Sequence, residues 1–243
     1  NSSPKNVGDW PWDEGHSAAA VRFTSAEVSG VPRVVPQPCG RIIAGNAART
    51  LPEIVVMPDY IEVCEEAVRA GAAVVQEWVG RFEPREKGPA DLVTEADLAS
   101  QQVIRETVLA AYPEHALVSE EDQPGSGGPD DAAFRWIADP LDGTTNYVHR
   151  VPHYAVSLAL EHRGELLVGA VYNPIDEECF TAVRGEGARL NGRTIRTSEV
   201  TTLEGALAAV GFPPKAPLEA PDVRVFLAAL GRTQAIRRTG SAA

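Results

Sequence analysis

Long apolar runs are the first feature that this sequence lacks. No stretch approaches the roughly 20 consecutive apolar residues that a membrane-spanning helix needs, and runs such as Ala206 to Val210 are short enough to be buried strands. The N-terminus has neither the basic head nor the apolar middle of a signal peptide. With 44% hydrophobic and 23% charged residues, the composition is ordinary for a soluble globular protein. We therefore expect no membrane partner.

Cysteine is also scarce. The three cysteines, Cys39, Cys64 and Cys179, are odd in number and far apart, and none lies in a C-x-x-C or Cys/His cluster of the zinc-binding kind. Cys64 falls on the face of a predicted helix and Cys179 in a predicted strand, where buried thiols behave as small hydrophobic groups. Cysteines that are few, scattered and buried predict a cytoplasmic protein in a reducing compartment.

Positive charge is in deficit. Lysine and arginine number 22 against 34 acidic residues, so the net charge is −12. A basic stripe that could neutralise nucleic-acid phosphates is missing, which argues against a nucleic-acid partner. If such an acidic protein handles an anion, it needs a local source of positive charge, and a bound metal ion is the obvious one. None of the five histidines has ligand spacing to the acidic clusters, so we assign them packing or surface roles.

The composition and periodicity of the chain change at Met57, its only methionine. Residues 1–56 are rich in Pro, Gly, Ser and Ala without periodicity, and we expect an irregular, non-native extension upstream of a start at Met57; a real N-terminal lobe is the alternative. Residues 57–197 are predicted to form an N-terminal α+β domain, which holds the metal and phosphate residues discussed below. Residues 198–243 are predicted to begin a smaller C-terminal αβ domain that is incomplete.

Hydrophobic periodicity predicts helices over Pro58–Phe82 and from Thr94 to just before Pro113, the second with Asp97 in a variant of the capping box. An antiparallel meander is predicted to follow, with turns at Arg163-Gly164 and Asn191-Gly192, and we therefore expect helices layered on an antiparallel sheet. A last helix is predicted over Val223–Leu230. The predicted strands are Ala116–Ser119, Phe134–Ala138, Ala155–His162, Glu165–Tyr172, Cys179–Val183, Ala188–Leu190, Arg193–Arg196, Ala206–Val210 and Ala235–Arg238.

Acidic residues cluster where predicted elements begin or end. Asp97 lies at a helix N-terminus, Glu120 and Glu121 follow one strand, and Asp139 and Asp142 follow another. Carboxylates at strand ends converge on one crevice of an α/β fold. Pro140 fixes the backbone between the two aspartates. Two carboxylates and the intervening Leu141 carbonyl suit a hard, oxygen-preferring cation such as Mg²⁺.

An anion-binding element comes directly after these carboxylates. In Gly143-Thr144-Thr145, a glycine and two small hydroxyl residues open a helical turn, which presents backbone N–H groups to a phosphate. Each part has an ordinary explanation when taken alone, because acidic pairs and Asp-Gly dipeptides usually form solvated turns and Asp97 alone is most simply a helix cap. Their joint occurrence indicates phosphate-ester hydrolysis with metal ions.

Here the sequence resembles a known family. Asp91-Leu-Val-Thr-Glu-Ala-Asp97, Ser119-Glu-Glu121 and Trp136-Ile-Ala-Asp-Pro-Leu-Asp-Gly-Thr-Thr-Asn-Tyr147 are similar to signature segments of the inositol monophosphatase family, and 169–174 and 185–192 to its meander. The resemblance covers about Met57 to Ala243. It implies the α/β (α+β) fold of the sugar-phosphatase type, a layered αβαβα sandwich, whose C-terminal layers we expect to be truncated here. It also implies a Mg²⁺-dependent, Li⁺-sensitive and usually dimeric enzyme, so a homodimer is expected.

The resemblance also implies metal ligands. Glu120, Asp139 and the Leu141 carbonyl would hold the first metal ion, and Asp139 and Asp142 would supply the second. Glu121 is expected behind these ligands, because both glutamates of the pair cannot face one ion without strain.

Catalytic and substrate-binding residues are implied in the same way. Thr144, paired with Asp97, would orient and help deprotonate the attacking water, with Glu120 as the third catalytic residue. Asp142 and the Gly143 and Thr144 amides would hold the phosphate. The segment Gly240-Ser241-Ala242 matches the one that contacts the inositol ring. Lys87 lies near the position of the family's active-site lysine, with the local alignment uncertain by one residue.

Two departures from the family pattern stand out. Ser119 replaces the usual glycine before the glutamate pair, which is expected to be tolerated. The aspartate that completes the second metal site lies in a Trp-Asp-x-Ala-x-Gly segment in the family, and this sequence does not contain that segment. We expect that this segment is missing because the sequence is truncated, and not because the protein lost it naturally.

Inositol 1-phosphate is the predicted substrate, because Thr145-Asn146, His149 and 156–158 fit the inositol phosphatase pattern best. Histidinol phosphate and fructose 1,6-bisphosphate stay open, as does an inactive truncated homologue that only binds metal or partners.

Overall fold

A computed structural model of the chain describes residues 58–88, 91–122, 132–212 and 216–240. Two long helices pack on a seven-stranded sheet, and a smaller unit of two parallel strands and one helix follows. The elements in chain order are α1 (Pro58–Glu77), β1 (Arg85–Gly88), β2 (Asp91–Val93), α2 (Glu95–Ala111), β3 (Ala116–Ser119), β4 (Phe134–Asp142), α3 (Thr144–Val148), β5 (Ala155–His162), β6 (Glu165–Asn173), β7 (Glu178–Val183), β8 (Gly187–Leu190), β9 (Arg193–Ile195), β10 (Leu207–Ala209), α4 (Pro221–Leu230) and β11 (Ala235–Arg237).

Helix α1 is shorter than its hydrophobic pattern predicts. The pattern continues to Phe82, but the helix ends at Glu77. Gly80 adopts φ +76°, a left-handed conformation that ends a helical path. Trp78 and Phe82 still pack against the core from the turn that follows, which is why they prolong the helical pattern in the sequence.

Close packing of α1 on α2 depends on Gly71. A methyl group added to Gly71 would lie 2.8 Å from Ser100 Oγ and 2.9 Å from Ile104 Cδ1, both of which are on α2 and fully buried. The glycine therefore allows the two helices to approach more closely than any side chain would permit. This contact fixes the position of α2, whose first turn carries Asp97.

The sheet is mixed rather than purely antiparallel, which corrects the sequence prediction. Its strand order is β3-β4-β5-β6-β7-β8-β9, and every neighbouring pair is antiparallel except β3–β4, which is parallel. A parallel pair needs a connection of about a dozen residues or more, and residues 120–133 of the sequence are long enough for it. The predicted meander from β5 to β9 is confirmed within one residue at each end.

Both predicted hairpin turns are present. Arg163 and Gly164 have φ +52° and +84°, and Asn191 and Gly192 have φ +48° and +78°. Positive φ at both central residues is the geometry that twisted hairpins prefer. In contrast, the β1–β2 hairpin was not predicted, because its short strands carry no alternating apolar pattern.

The mixed α/β architecture confirms the predicted fold class. Cys64 and Cys179 are buried free thiols, as expected, whereas Cys39 lies outside the described residues. Among the helices that the structure describes, none is both long and apolar enough to cross a membrane. The proposed extension over residues 1–56 also lies outside the described part, and the boundary at 197/198 stays a prediction.

Candidate functional site

A β-bulge at the end of β4 orients the two aspartates of the motif. The strand continues to Asp142 instead of ending at Ala138, and its register shifts between Asp139 and Asp142. Asp139 lies opposite Ser157 and Asp142 lies opposite Ala155. The two aspartates are thus three residues apart on β4, whereas their partners are only two residues apart on β5. In a regular strand, residues three apart point to opposite faces. The extra residue brings both carboxyl groups to the same side of the sheet.

Asp97 is both a helix cap and a member of the site. Its Oδ2 accepts hydrogen bonds from the Thr94 backbone N–H at 2.8 Å and from the Thr94 hydroxyl at 2.6 Å. This completes the predicted capping box at the start of α2. The other oxygen, Oδ1, lies 3.1 Å from Thr144 Oγ1, which also lies 3.0 Å from the Leu141 carbonyl oxygen. The structure thus joins Asp97 and Thr144 as predicted.

Helix α2 also supports the backbone of the motif. The buried Ser100 hydroxyl donates a hydrogen bond of 2.9 Å to the Pro140 carbonyl. The Leu141 N–H donates to Asp139 Oδ1 at 3.1 Å, which fixes the rotamer of that carboxylate. Sequence reasoning missed Ser100, since only its register on α2 relative to Asp97 could have indicated it.

The turn that carries Glu120 and Glu121 is held by Asp122. Its carboxylate accepts hydrogen bonds from Arg105 Nη2 at 2.8 and 3.0 Å and from the Ser119 N–H at 2.9 Å. Glu120 is exposed at the end of β3 and Glu121 is half-buried. Asp122 thereby anchors this turn to α2, a role that the sequence pattern did not predict.

Burial and like charges dominate the electrostatics of the site. Burial first, and then the charges of Glu120 and Asp142, raise the pKa of Asp139 to about 7. Asp97 makes a smaller contribution of the same sign. Burial also raises the pKa of Asp97 above its usual value, although hydrogen bonds from Thr94 and Thr144 oppose the shift. The carboxyl groups of Glu120 and Asp142 are therefore close enough to Asp139 to oppose its ionisation.

The donor set fits a hard cation in its chemistry. Glu120, Asp139, Asp142 and the Leu141 carbonyl offer only oxygen ligands, and a bound positive charge would offset the cost of ionising Asp139 beside Glu120 and Asp142. Across the ranges that the structure describes, however, no three His, Cys, Asp or Glu side chains already form a metal-binding group. The residues thus match the cation in ligand type without forming a closed cage. Their assignment as ligands stays a prediction.

The predicted phosphate loop has the expected backbone. Gly143 adopts φ +93° and precedes α3, which begins at Thr144. Only a residue without a side chain adopts this conformation readily. Tyr147 anchors the short helix, because its hydroxyl donates a hydrogen bond of 2.7 Å to the Val75 carbonyl on α1. Phosphate binding by Asp142, Gly143 and Thr144 remains a prediction.

The structure brings Gly240 next to this loop. Asn146 Nδ2 lies 2.8 Å from the Thr239 carbonyl oxygen, which precedes Gly240. This bond holds Gly240 next to the motif, and its role in substrate binding stays a prediction. Ser241 and Ala242 lie outside the described residues, as does the side chain of Lys87.

His115 has the packing role predicted for the histidines. Its ring stacks between Tyr112 and Phe134, with centroid distances of 4.8 and 4.7 Å. Its Nδ1 accepts a hydrogen bond of 3.0 Å from Trp136 Nε1. It is 7% exposed and belongs to an aromatic cluster at the start of β4, the opposite end of that strand from Asp139 and Asp142.

The chain is similar to several known proteins. The chain is 39% identical over 192 residues to the Nus factor SuhB of Pseudomonas aeruginosa, an alignment that covers 76% of this chain and 71% of that protein. It superimposes with a TM-score of 0.70 on the extragenic suppressor protein SuhB from Bartonella henselae, at 37% identity over 76% of this chain and 72% of that one.

A third relative has ligands in its structure. The TM-score with an IMPase/NADP phosphatase complexed with Mg²⁺ and phosphate is 0.59, at 26% identity, over 70% of this chain and 62% of that chain. The chain spans only 60% of the length of several other curated relatives. The model of the inositol monophosphatase family matches residues 58–243. This chain therefore belongs to the inositol monophosphatase family.

Proposed function

We propose that this chain is a Mg²⁺-dependent phosphomonoesterase whose preferred substrate is inositol 1-phosphate or a similar polyol phosphate. The observation that carries the proposal is the contact between Thr144 and Asp97 beside the carboxylates of Asp139 and Asp142. A hydroxyl held by a buried carboxylate, next to oxygen ligands for a cation, suits the activation of water for attack on phosphorus.

Glu120, Asp139, Asp142 and the Leu141 carbonyl would hold the metal. A bound Mg²⁺ neutralises carboxylate and phosphate charge and acidifies water. The relative complexed with Mg²⁺ and phosphate supports this choice of ion. Glu121 is proposed to act on the position of Glu120 through the turn that they share.

Thr144 and Asp97 would orient the attacking water. When the Thr144 hydroxyl donates its proton to Asp97 Oδ1, at 3.1 Å, the lone pairs of Oγ1 are free to accept a proton from a water molecule. Thr94 keeps the Asp97 carboxylate in place through two hydrogen bonds. The proton of the water can then pass by way of Oγ1 to Asp97, while the oxygen of the water attacks phosphorus.

The phosphate group would lie against Asp142 and the backbone N–H groups of Gly143 and Thr144. Gly143 lets the phosphoryl oxygens approach the backbone, because it has no Cβ. The bond from phosphorus to the ester oxygen breaks, the leaving oxygen takes a proton from solvent water, and inorganic phosphate remains. The polyol would contact Gly240, Ser241 and Ala242.

Phosphate release from inositol 1-phosphate tests this proposal. The purified chain with Mg²⁺ is expected to release phosphate, and Asp139→Asn is expected to abolish the activity because a proposed ligand loses its charge. Asp176→Asn is the matched control, since Asp176 only pairs with Asn173 in an exposed turn. A panel with histidinol phosphate and fructose 1,6-bisphosphate would decide between the family substrates.

A second candidate function rests on the relatives named Nus factors, at 39% and 42% identity. A chain of this kind would bind metal or partners without turnover. It would show no phosphate release in the same assay, even after a segment with the family's Trp-Asp-x-Ala-x-Gly pattern is appended. Recovery of activity on that addition would favour the phosphatase instead. A homodimer and a cytoplasmic location stay predictions; light scattering tests the first.

A further inference from the structure

Asn146 uses both of its side-chain donors to join three parts of the chain. Nδ2 donates hydrogen bonds of 2.8 Å to the His153 carbonyl and of 2.8 Å to the Thr239 carbonyl. A side-chain amide has two N–H groups, so its donor capacity is satisfied. Thr239 is 93 residues away in sequence, and this bond ties it to α3.

The absence of a side chain at Gly240 leaves room for the Asn146 amide. A Cβ added to Gly240 would lie 3.0 Å from Asn146 Oδ1 and 3.1 Å from Nδ2, closer than a normal van der Waals contact. Gly240 also has φ +98°, a conformation in which a side chain causes strain. The amide of Asn146 therefore occupies the space that a side chain at position 240 would need.

The same short helix carries Thr144, one member of the proposed catalytic pair. Asn146 is two residues from Thr144, and both belong to α3. The helix is tied down on another side by the Tyr147 hydroxyl, which donates to the Val75 carbonyl. The distance from Thr144 Oγ1 to the backbone at Thr239 and Gly240 is thus set by one rigid turn and one side-chain amide.

We propose that Asn146 is a positioning residue that fixes the backbone at Thr239–Gly240 relative to the phosphate loop, and that it thereby determines the fit of the alcohol part of the substrate. This inference rests on the proposed phosphomonoesterase function. The loop alone would bind inorganic phosphate, whereas a polyol phosphate would need the loop and the Thr239–Gly240 backbone together. Loss of Asn146 should therefore weaken binding of the ester and spare binding of phosphate.

Binding of two probes separates these roles. The probes are inorganic phosphate and the phosphonate analogue of inositol 1-phosphate, whose C–P bond resists hydrolysis, both titrated calorimetrically with Mg²⁺ present. Asn146→Ala is expected to weaken phosphonate binding about tenfold, since two hydrogen bonds are lost, and to leave the Kd of phosphate within about twofold. Asn173→Ala is the matched control and should change neither constant, because Asn173 lies at the end of β6, where its amide bonds to Asp176.

Hydrogen exchange gives a readout that needs no ligand. Peptides covering residues 235–240 are expected to exchange faster in Asn146→Ala than in wild type, with α1 and α2 unchanged. Equal weakening of both probes, or unchanged exchange at 235–240, would overturn the inference. A wild-type chain that binds neither probe contradicts the proposed function instead, and the exchange result alone then decides whether Asn146 holds this backbone.

Discussion

Thr144 Oγ1 lies 3.1 Å from Asp97 Oδ1, although the two residues are 47 positions apart in the sequence. Asp97 also caps α2 through its other oxygen. One carboxylate therefore fixes the start of a core helix and a hydroxyl of the candidate site. The position of Thr144 depends on the packing of α2, and hence on contacts far from the phosphate loop.

Replacing Thr144 by alanine should remove the hydroxyl that orients the water. We expect Thr144→Ala to lower kcat for phosphate release about 100-fold or more, the usual loss for a proton-transfer group, with little change in KM. Thr144→Ser keeps the hydroxyl and is the matched control, expected within about tenfold of wild type. If both variants behave alike, Thr144 acts through its backbone only.

Asp139→Asn should be no less stable than wild type when metal is absent. Burial and the charges of Glu120 and Asp142 raise the pKa of Asp139 to about 7, so its ionised form costs free energy in the fold. We expect the metal-free variant to gain about 1–2 kcal/mol at pH 8, allowing for partial exposure. Thermal unfolding in EDTA measures this. Added Mg²⁺ should raise the Tm of wild type but not that of the variant; equal shifts in both would argue against Asp139 as a ligand.

Gly71→Ala should destabilise the protein by about 1–3 kcal/mol, because its methyl group would collide with Ser100 and Ile104. Displacement of Ser100 would also disturb its hydrogen bond to Pro140, so we expect lower phosphatase activity. Urea unfolding measures the stability. Gly231→Ala makes the same chemical change in open space and should stay within about 0.5 kcal/mol of wild type. If Gly71→Ala and Gly231→Ala lose equal stability, the contact between α1 and α2 is not the cause.

His115 should make stability depend on pH. Burial lowers the pKa of His115 in the fold, whereas an unfolded histidine takes up a proton near pH 6.5. The unfolded state then binds more protons, so this contribution is present above about pH 6.5 and is lost as the pH falls below it.

The readout is the difference in unfolding free energy between wild type and His115→Gln from pH 8 to 5.5. A difference is needed because the raised pKa of Asp139 has the opposite effect over part of this range. The difference should shrink as the pH falls. His149→Gln, at an exposed histidine, is the control. If the unfolding free energy of His115→Gln changes with pH in parallel with that of wild type, the account is contradicted.

Most features that depend on residues close together in the chain could be predicted from the sequence. The capping box at Thr94 and Asp97, the hairpin turn at Asn191-Gly192 and the glycine before α3 all follow from residues close together in the chain. What it missed depends on distant partners. Neither the bulge between Asp139 and Asp142 nor the bond from Asn146 to Thr239 has a local signal, because each is set by the pairing of segments that meet only in the fold.

The dependence of phosphate release on Mg²⁺ tests the central claim most directly. With inositol 1-phosphate, the chain is expected to show no turnover in EDTA and a rate that rises and saturates as Mg²⁺ is added, because the charges of Glu120 and Asp142 oppose the ionisation of Asp139 and a bound cation would relieve that cost. An unchanged rate of phosphate release in EDTA would contradict the account.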